Sequence, residues 1–187
     1  MTQRMLLAMC LALAAAGPAA AELVNENLLV AVPDGYRIDF RDKNATMLIN
    51  EMVPVAENVH DWTEMITVQI YFGLTDVAPE RMKNDIEKRW FGACANAESH
   101  SVASDVENGY PVAVWRLTCP LNSTTGKSEM TWFKAIQGND SFYVVQKAFK
   151  FEPSPEQVSE WSRYLRKVSV CDSRLADRPC PGAAIKQ

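Results

Sequence analysis

The most strand-like stretch of the chain is residues 127–151, which read KSEMTWFKAIQGNDSFYVVQKAFKF. Aromatic and β-branched residues suit a pleated, half-buried surface, and they crowd both halves of this stretch. Gly138-Asn139-Asp140 lies between the halves and predicts a reversal of the chain. Because both faces carry apolar groups, we expect this hairpin at the centre of a sheet, with other elements packed on each side.

Shorter strands are predicted on either side of the central hairpin. Alternation of apolar and polar residues indicates strands at 28–32, 36–40, 46–53 and 63–72. A second hairpin is predicted for 101–119, around Asn108-Gly109, because this dipeptide accepts positive φ at both turn positions. Each of these two hairpins pairs its strands antiparallel.

Two segments change to a helical period. In residues 78–91, Met82, Ile86 and Trp90 recur every four positions and form an apolar stripe. The second helix begins at Ser154 with a Ser-Pro-Glu-Gln capping box and is expected to stop near Cys171. The predicted fold class is therefore α+β, an antiparallel β-sheet flanked by two main helices.

The first 21 residues have the order of a secretory signal peptide. One cation at Arg4 precedes a short apolar run, and Ala19-Ala20-Ala21 supplies small residues before Glu22. Leu7-Ala8-Met9-Cys10 loosely resembles a lipobox, but Met9 is bulky where a small residue is expected. We predict cleavage after Ala21 and a periplasmic or secreted product, with lipidation of Cys10 as the alternative.

Length and charge bound the remainder. Removing 21 of the 187 residues leaves the length of one ordinary domain, predicted as 22–171 followed by a loose tail at 172–187. The net charge of the full chain is −4, and the signal peptide removes one cation and no acid. An acidic balance argues against nucleic acid and anionic membranes as partners. No later segment is apolar enough to cross a membrane, and no motif calls for a cofactor.

Four cysteines follow the predicted cleavage site, and an even number in an exported chain implies disulfides. Three pairings are possible. We favour Cys94–Cys119 and Cys171–Cys180, because each pair joins segments that lie close in sequence or that the strand pattern brings together. The absence of any Cys-x-x-Cys pattern argues against a zinc site or a redox dithiol.

The order of elements resembles a known superfamily. Val32-Pro33-Asp34-Gly35-Tyr36 opens four strands, and a helix, two hairpins and a helix with a central Trp161 follow. Residues 28–170 in this order resemble the PsbP-like superfamily, which includes DcrB-type bacterial envelope proteins. Glu51-Met52-Val53-Pro54 and residues 62–67 also look like signatures of uncharacterised exported bacterial proteins. The resemblance implies a sheet sandwiched between helices and a non-catalytic binding or assembly role.

One acidic loop holds the candidate binding residues. His60 lies among carboxylates that are able to collect a cation, although a solvated acidic loop is the simpler interpretation. Trp62 precedes a strand, where an aromatic side chain either fills the core or contacts a partner. The predicted contact surface consists of Glu51, Glu57, His60, Asp61, Trp62 and Glu64.

Three functional hypotheses follow. The first is a non-catalytic binding or assembly factor of the cell envelope that contacts an envelope protein through the acidic loop and the adjacent sheet edge. The second is a metal- or small-ligand-binding protein that uses the same loop. The third is a hydrolase, which is disfavoured because the chain has two histidines and no Gly-x-Ser-x-Gly motif.

Overall fold

The computed structural model describes residues 23–123 and 125–181. The predicted signal peptide and Cys10 lie outside the described residues. Nine strands and two helices are formed within these ranges. Their order is β1 Glu26–Leu29, β2 Tyr36–Lys43, β3 Met47–Pro54, β4 Glu64–Phe72, α1 Pro79–Ala93, β5 Glu98–Glu107, β6 Tyr110–Cys119, β7 Glu129–Gln137, β8 Ser141–Phe149, α2 Pro155–Lys167 and β9 Ser169–Asp172.

Seven of the strands form one antiparallel sheet in the order β2-β3-β4-β8-β7-β6-β5. The predicted central hairpin is β7–β8, and β8 is the middle strand of the seven. The predicted turn at Asn108-Gly109 joins β5 to β6, with φ of 48° and 76° at its two residues. Both predicted hairpins are therefore confirmed. They could be predicted because their turn residues and apolar runs specify them locally.

The two helices pack on opposite faces of this sheet. On one face Met82 and Ile86 of α1 pack in a cluster with Trp115 and Phe133. On the other face Trp161 of α2 belongs to a second cluster. Successive residues of β7 alternate between these two clusters, as the strand period requires. The predicted fold class, an antiparallel sheet flanked by two helices, is confirmed.

Helix α2 begins as the sequence predicts. Gln157 N donates to Ser154 Oγ at 3.3 Å, and Ser154 N donates to Gln157 Oε1 at 2.9 Å, which completes the capping box. The helix ends at Lys167, earlier than the predicted stop near Cys171. The chain changes to an extended conformation at Val168 because the following residues pair with β1.

The C-terminal segment is more ordered than a loose tail. Strand β9 pairs with β1 in a separate two-stranded antiparallel sheet, so the first strand falls at Glu26–Leu29 instead of the predicted 28–32. Asp172 N donates to Arg178 O at 2.8 Å, and Ser173 N donates to Asn25 O at 3.1 Å. The folded unit therefore continues past the predicted limit at residue 171, as far as the described residues extend.

Both predicted disulfides are formed. Cys94–Cys119 joins the end of α1 to the end of β6, with 6.0 Å between the Cα atoms. Cys171–Cys180 ties β9 to the C-terminal segment, with a Cα–Cα distance of 4.9 Å. Within residues 23–123 and 125–181, no helix has both the length and the apolar character needed to span a membrane.

Candidate functional site: the α2 face of the sheet

The predicted acidic contact surface is divided by the fold. Glu51 lies within β3, and Glu64 is the first residue of β4. The intervening loop carries Glu57, His60 and Asp61. These residues are neighbours in sequence, but their side chains have different environments.

Glu57 is used to hold the loop together. Its carboxylate accepts hydrogen bonds from Thr63 N at 2.7 Å and from Thr63 Oγ1 at 2.6 Å. Burial alone would raise the pKa of the Glu57 carboxyl, but these hydrogen bonds hold it below its ordinary value. Burial raises the pKa of Glu51 on β3. Glu57 is therefore a structural acceptor within the loop.

The remaining loop residues do not converge on a ligand site. His60 and Asp61 are exposed, and the loop is closed by backbone pairing of Asn58 with Asp61. Trp62 is half-buried, and Lys150 Nζ lies 3.6 Å from the centroid of its ring. No group of three or more His, Cys, Asp or Glu side chains in the described part of the chain could hold a metal ion.

Glu64 points toward the α2 face of the sheet and joins a buried polar network. Its Oε2 accepts hydrogen bonds from Tyr36 OH at 2.6 Å and from Lys147 Nζ at 2.7 Å. Gln157 Nε2, in the first turn of α2, donates to Glu64 Oε1 at 3.4 Å. Strands β2, β4 and β8 and helix α2 therefore meet at this carboxylate.

Lys147 is enclosed by aromatic rings. Its side chain is fully buried, and Nζ lies 3.8 Å from the ring centroid of Trp161, 4.5 Å from that of Phe149 and 4.8 Å from that of Tyr36. Burial lowers the pKa of Lys147 to about 8, although Glu64 opposes the shift. Burial, with Glu64 adding to it, raises the pKa of Tyr36. This arrangement stabilises the contact between α2 and the sheet.

Sequence reasoning missed this network. Its one visible signal is a lysine in the middle of the most apolar strand, since such a residue is rarely buried without a partner. The partners lie on other elements, and the sequence does not identify them.

An apolar groove lies on the same face, between the edge strand β5 and helix α2. Residues of β5, β6 and β7 and of helix α2 line it. The groove has a volume of about 290 Å³. Its lining residues are Val102, Ala103, Glu107, Val114, Trp132, Lys134, Ser162, Leu165 and Arg166.

A second buried lysine closes one end of the groove. Lys134 Nζ donates to the carbonyl oxygens of Leu165, at 3.1 Å, and Val168, at 2.8 Å, near the C-terminus of α2. It also forms an ion pair with Glu107, whose side chain is partly exposed. The three donors of this ammonium group are therefore occupied by the protein itself.

A β-bulge shapes the outer wall of the groove. Ser101 pairs with Trp115 and Ala103 pairs with Val114, so that Val102 is the extra residue of β5. A bulge re-aims a side chain, and here Val102 lines the groove while remaining 60% exposed. The same bulge interrupts the regular edge that a further strand would need.

An arginine stands beside the groove on the central side of β5. Arg116 lies two residues after Val114 on β6, and therefore on the same face of the sheet. Its guanidinium carbon is 5.8 Å from the ring centroid of Trp132. Its Nε is buried without a hydrogen-bond partner among the described residues, and none of those residues forms a salt bridge with it.

The known structures that resemble this chain are distant from it in sequence. No protein-family model matches the chain, and no curated protein matches it significantly. The Ran-binding protein Mog1p of Saccharomyces cerevisiae is 13% identical, with a TM-score of 0.43 over 76% of this chain and 85% of that one. A mutant of the protein Mog1 is 14% identical, with a TM-score of 0.44 over 73% and 78% of the two chains. At these values the likeness carries no weight for function, and membership of the PsbP-like superfamily stays a prediction.

Proposed function

We propose that the chain is an exported, non-catalytic binding or assembly factor of the cell envelope, and that it holds a partner protein at the groove between β5 and α2. The observation that carries this proposal is the groove itself, an apolar hollow left open where α2 stops short of the sheet edge. Its lining combines a nearly buried tryptophan with an exposed valine, Trp132 and Val102.

The open shape of the groove favours a side chain of a protein over a small ligand. Small-molecule sites usually enclose roughly 300–1,000 Å³ and bury most of the ligand. The volume of about 290 Å³ lies at the lower end of that range, and a hollow that opens to solvent suits one or two anchoring side chains. Charged residues of both signs, Glu107 and Arg166, surround the apolar centre, which is the anatomy of a protein interface.

The redox state of the cysteines supports export. Disulfides persist in the periplasm and in secreted proteins, and they are rare in the reducing cytosol. The two bonds described above fit the predicted signal peptide at residues 1–21. Intact-mass measurement of the mature protein tests this part of the proposal, because cleavage after Ala21 leaves Glu22 as the first residue.

The groove is a better contact surface than the acidic loop. In the loop, Glu57 and Glu64 are engaged by Thr63 and by Lys147, so that neither carboxylate is free to meet a partner. The acidic loop as a contact surface remains a prediction without further support.

Site-specific photocrosslinking tests the groove. A benzophenone amino acid at Val102 should cross-link one envelope protein in an extract of the source cells. Ala103→Trp, which fills the groove from the exposed strand, should abolish the product. Val106→Trp is the matched control, because Val106 is equally exposed on β5 but lies on the α1 face. A product that survives Ala103→Trp would contradict the proposal.

A further inference from the structure

Beside the apolar hollow of the groove lies Arg116, with which no described residue forms a salt bridge, and this combination restricts the chemistry of the partner. We propose that the partner segment carries a bulky apolar anchor residue with an Asp or Glu within two positions of it. The anchor fills the hollow beside Trp132, and the carboxylate meets the guanidinium of Arg116. This inference rests on the proposed function and specifies the partner of the same site.

The environment of Arg116 favours an acidic partner. Its Nε is buried, yet no described residue accepts a hydrogen bond from it. Because Nε itself is buried, a partner would meet the terminal amino groups of the guanidinium, and the Arg116 side chain as a whole is partly exposed. A carboxylate matches the planar guanidinium better than any neutral acceptor, because it accepts two parallel hydrogen bonds.

The position of Arg116 places it within reach of a segment that also fills the groove. Arg116 is paired across the sheet with Trp132 on one side and with His100 on the other. Trp132 lines the groove, and Val114 of the same strand lies one side-chain position further along the same face. Successive side chains on one face of a strand are about 7 Å apart, the distance between residues i and i+2 of an extended peptide. One extended segment is therefore able to reach both the hollow and the cation.

The rest of the groove indicates where the carboxylate does not go. At the far end Glu107 is negative and is already paired with Lys134, whose donors are all occupied. Asp105 lies on the same face and is exposed. A partner carboxylate beside Glu107 or Asp105 would be repelled, although the exposed Arg166 on the α2 wall offsets part of this negative charge. The Arg116→Glu variant therefore tests which end of the groove the carboxylate occupies.

The bulge at Val102 distinguishes this partner from a second copy of the chain. Edge-to-edge pairing of two β5 strands needs a regular ladder, which the bulge interrupts. The structure therefore favours a different protein with an acidic, apolar segment.

Selection from a random dodecapeptide display library tests the inference. Panning on the wild-type protein should enrich peptides that have an aromatic or large aliphatic residue with Asp or Glu within two positions. Arg116→Glu should replace this acidic preference with Lys or Arg. Arg116→Gln is a shorter, neutral and polar replacement, and it should remove the charge preference while the apolar anchor is retained.

Lys88→Glu is the matched control. Lys88 is exposed on α1, on the opposite face of the sheet, and its reversal changes the net charge by the same amount. It should select the same acidic peptides as the wild type. Circular dichroism and gel filtration of each variant show whether it is folded.

The outcomes separate the two proposals. If the wild type enriches no peptide relative to Ala103→Trp, or if dodecanoate binds in the groove and no peptide does, a protein partner is excluded and both proposals fail. If enriched peptides are apolar and depend on Ala103 but show no acidic preference, or if Arg116→Glu selects the same acidic flanks, the proposed function stands and this inference is overturned.

Discussion

Lys147 Nζ lies 3.8 Å from the ring centroid of Trp161. The central tryptophan of α2 therefore packs against a buried ammonium group on β8, the middle strand of the sheet. The same ammonium group donates to Glu64 at 2.7 Å. Removing an ion from water costs free energy unless its partners are well placed. Here one carboxylate and three aromatic rings offset that cost for Lys147. The contact between helix and sheet therefore depends on charge as well as on apolar area.

Removing the carboxylate is predicted to be more harmful than removing the lysine. Glu64→Ala leaves Lys147 buried without a counter-charge and should lower the free energy of unfolding by about 3 kcal/mol. Lys147→Met fills the same space with an apolar side chain and should cost less, because Glu64 is partly exposed and keeps Tyr36 as a donor. Urea unfolding of both variants at pH 7 measures the difference, and equal losses would contradict it.

The stability of the protein should rise with pH between about 8 and 10. Burial lowers the pKa of Lys147 to about 8, from an ordinary value of 10.5. Between these values the unfolded chain binds more protons than the folded chain, so raising the pH favours the folded state. Above about 10 the raised pKa of Tyr36 acts in the opposite sense, because only the unfolded tyrosine ionises there.

Urea unfolding at pH 7.5, 8.5 and 9.5 measures this rise. Lys147→Met is the control and should remove most of it. In the Lys147→Met variant a smaller rise of stability with pH should remain, because burial also lowers the pKa of Lys150. A wild-type profile that is flat or falling over this range would show that Lys147 titrates as an ordinary lysine.

Glu26 should control the order of the central turn. Its carboxylate accepts hydrogen bonds from the backbone N–H groups of Asn139, Asp140 and Ser141, at 2.6, 3.0 and 3.2 Å, and from Tyr143 OH at 2.9 Å. Glu26→Ala leaves these donors to water and should cost about 1–3 kcal/mol. Glu26→Gln keeps one acceptor oxygen and should be intermediate.

Amide hydrogen exchange at the three turn residues measures this effect directly. Exchange should accelerate in Glu26→Ala, while the Asn108-Gly109 turn of β5–β6 serves as an internal reference. Unchanged protection at Asn139 would mean that the turn is held by its own geometry.

The two disulfides should contribute unequally. The Cys94–Cys119 bond spans 25 residues and the Cys171–Cys180 bond spans 9. In the chain-entropy model the longer loop is worth about 3.5 kcal/mol and the shorter about 2.6 kcal/mol, because closing a longer loop restricts the unfolded chain more. Double Cys→Ala variants of each pair, compared by urea unfolding, test the order, and a larger loss for Cys171–Cys180 would reverse it.

Features that depend on near neighbours were accessible from the sequence. The turn at residues 138–140, the Asn108-Gly109 hairpin and the capping box at Ser154 are each specified within a few residues. The helix stripes and strand alternation gave the fold class, since helix and strand periods differ. Helix α2 was predicted to stop near Cys171 but ends at Lys167. The prediction was wrong because pairing of β9 with β1 overrides the local helical pattern.

The sequence by itself determined an antiparallel sheet with two amphipathic helices, and it predicted the two disulfides and export of the chain. Only the tertiary structure decided that Tyr36, Glu64, Lys147 and Trp161 meet, that Glu57 accepts hydrogen bonds from Thr63 and that a groove opens beside β5. The physical reason is distance along the chain. Periodicity and turn chemistry act over a few residues, whereas these contacts require the order and register of the whole sheet.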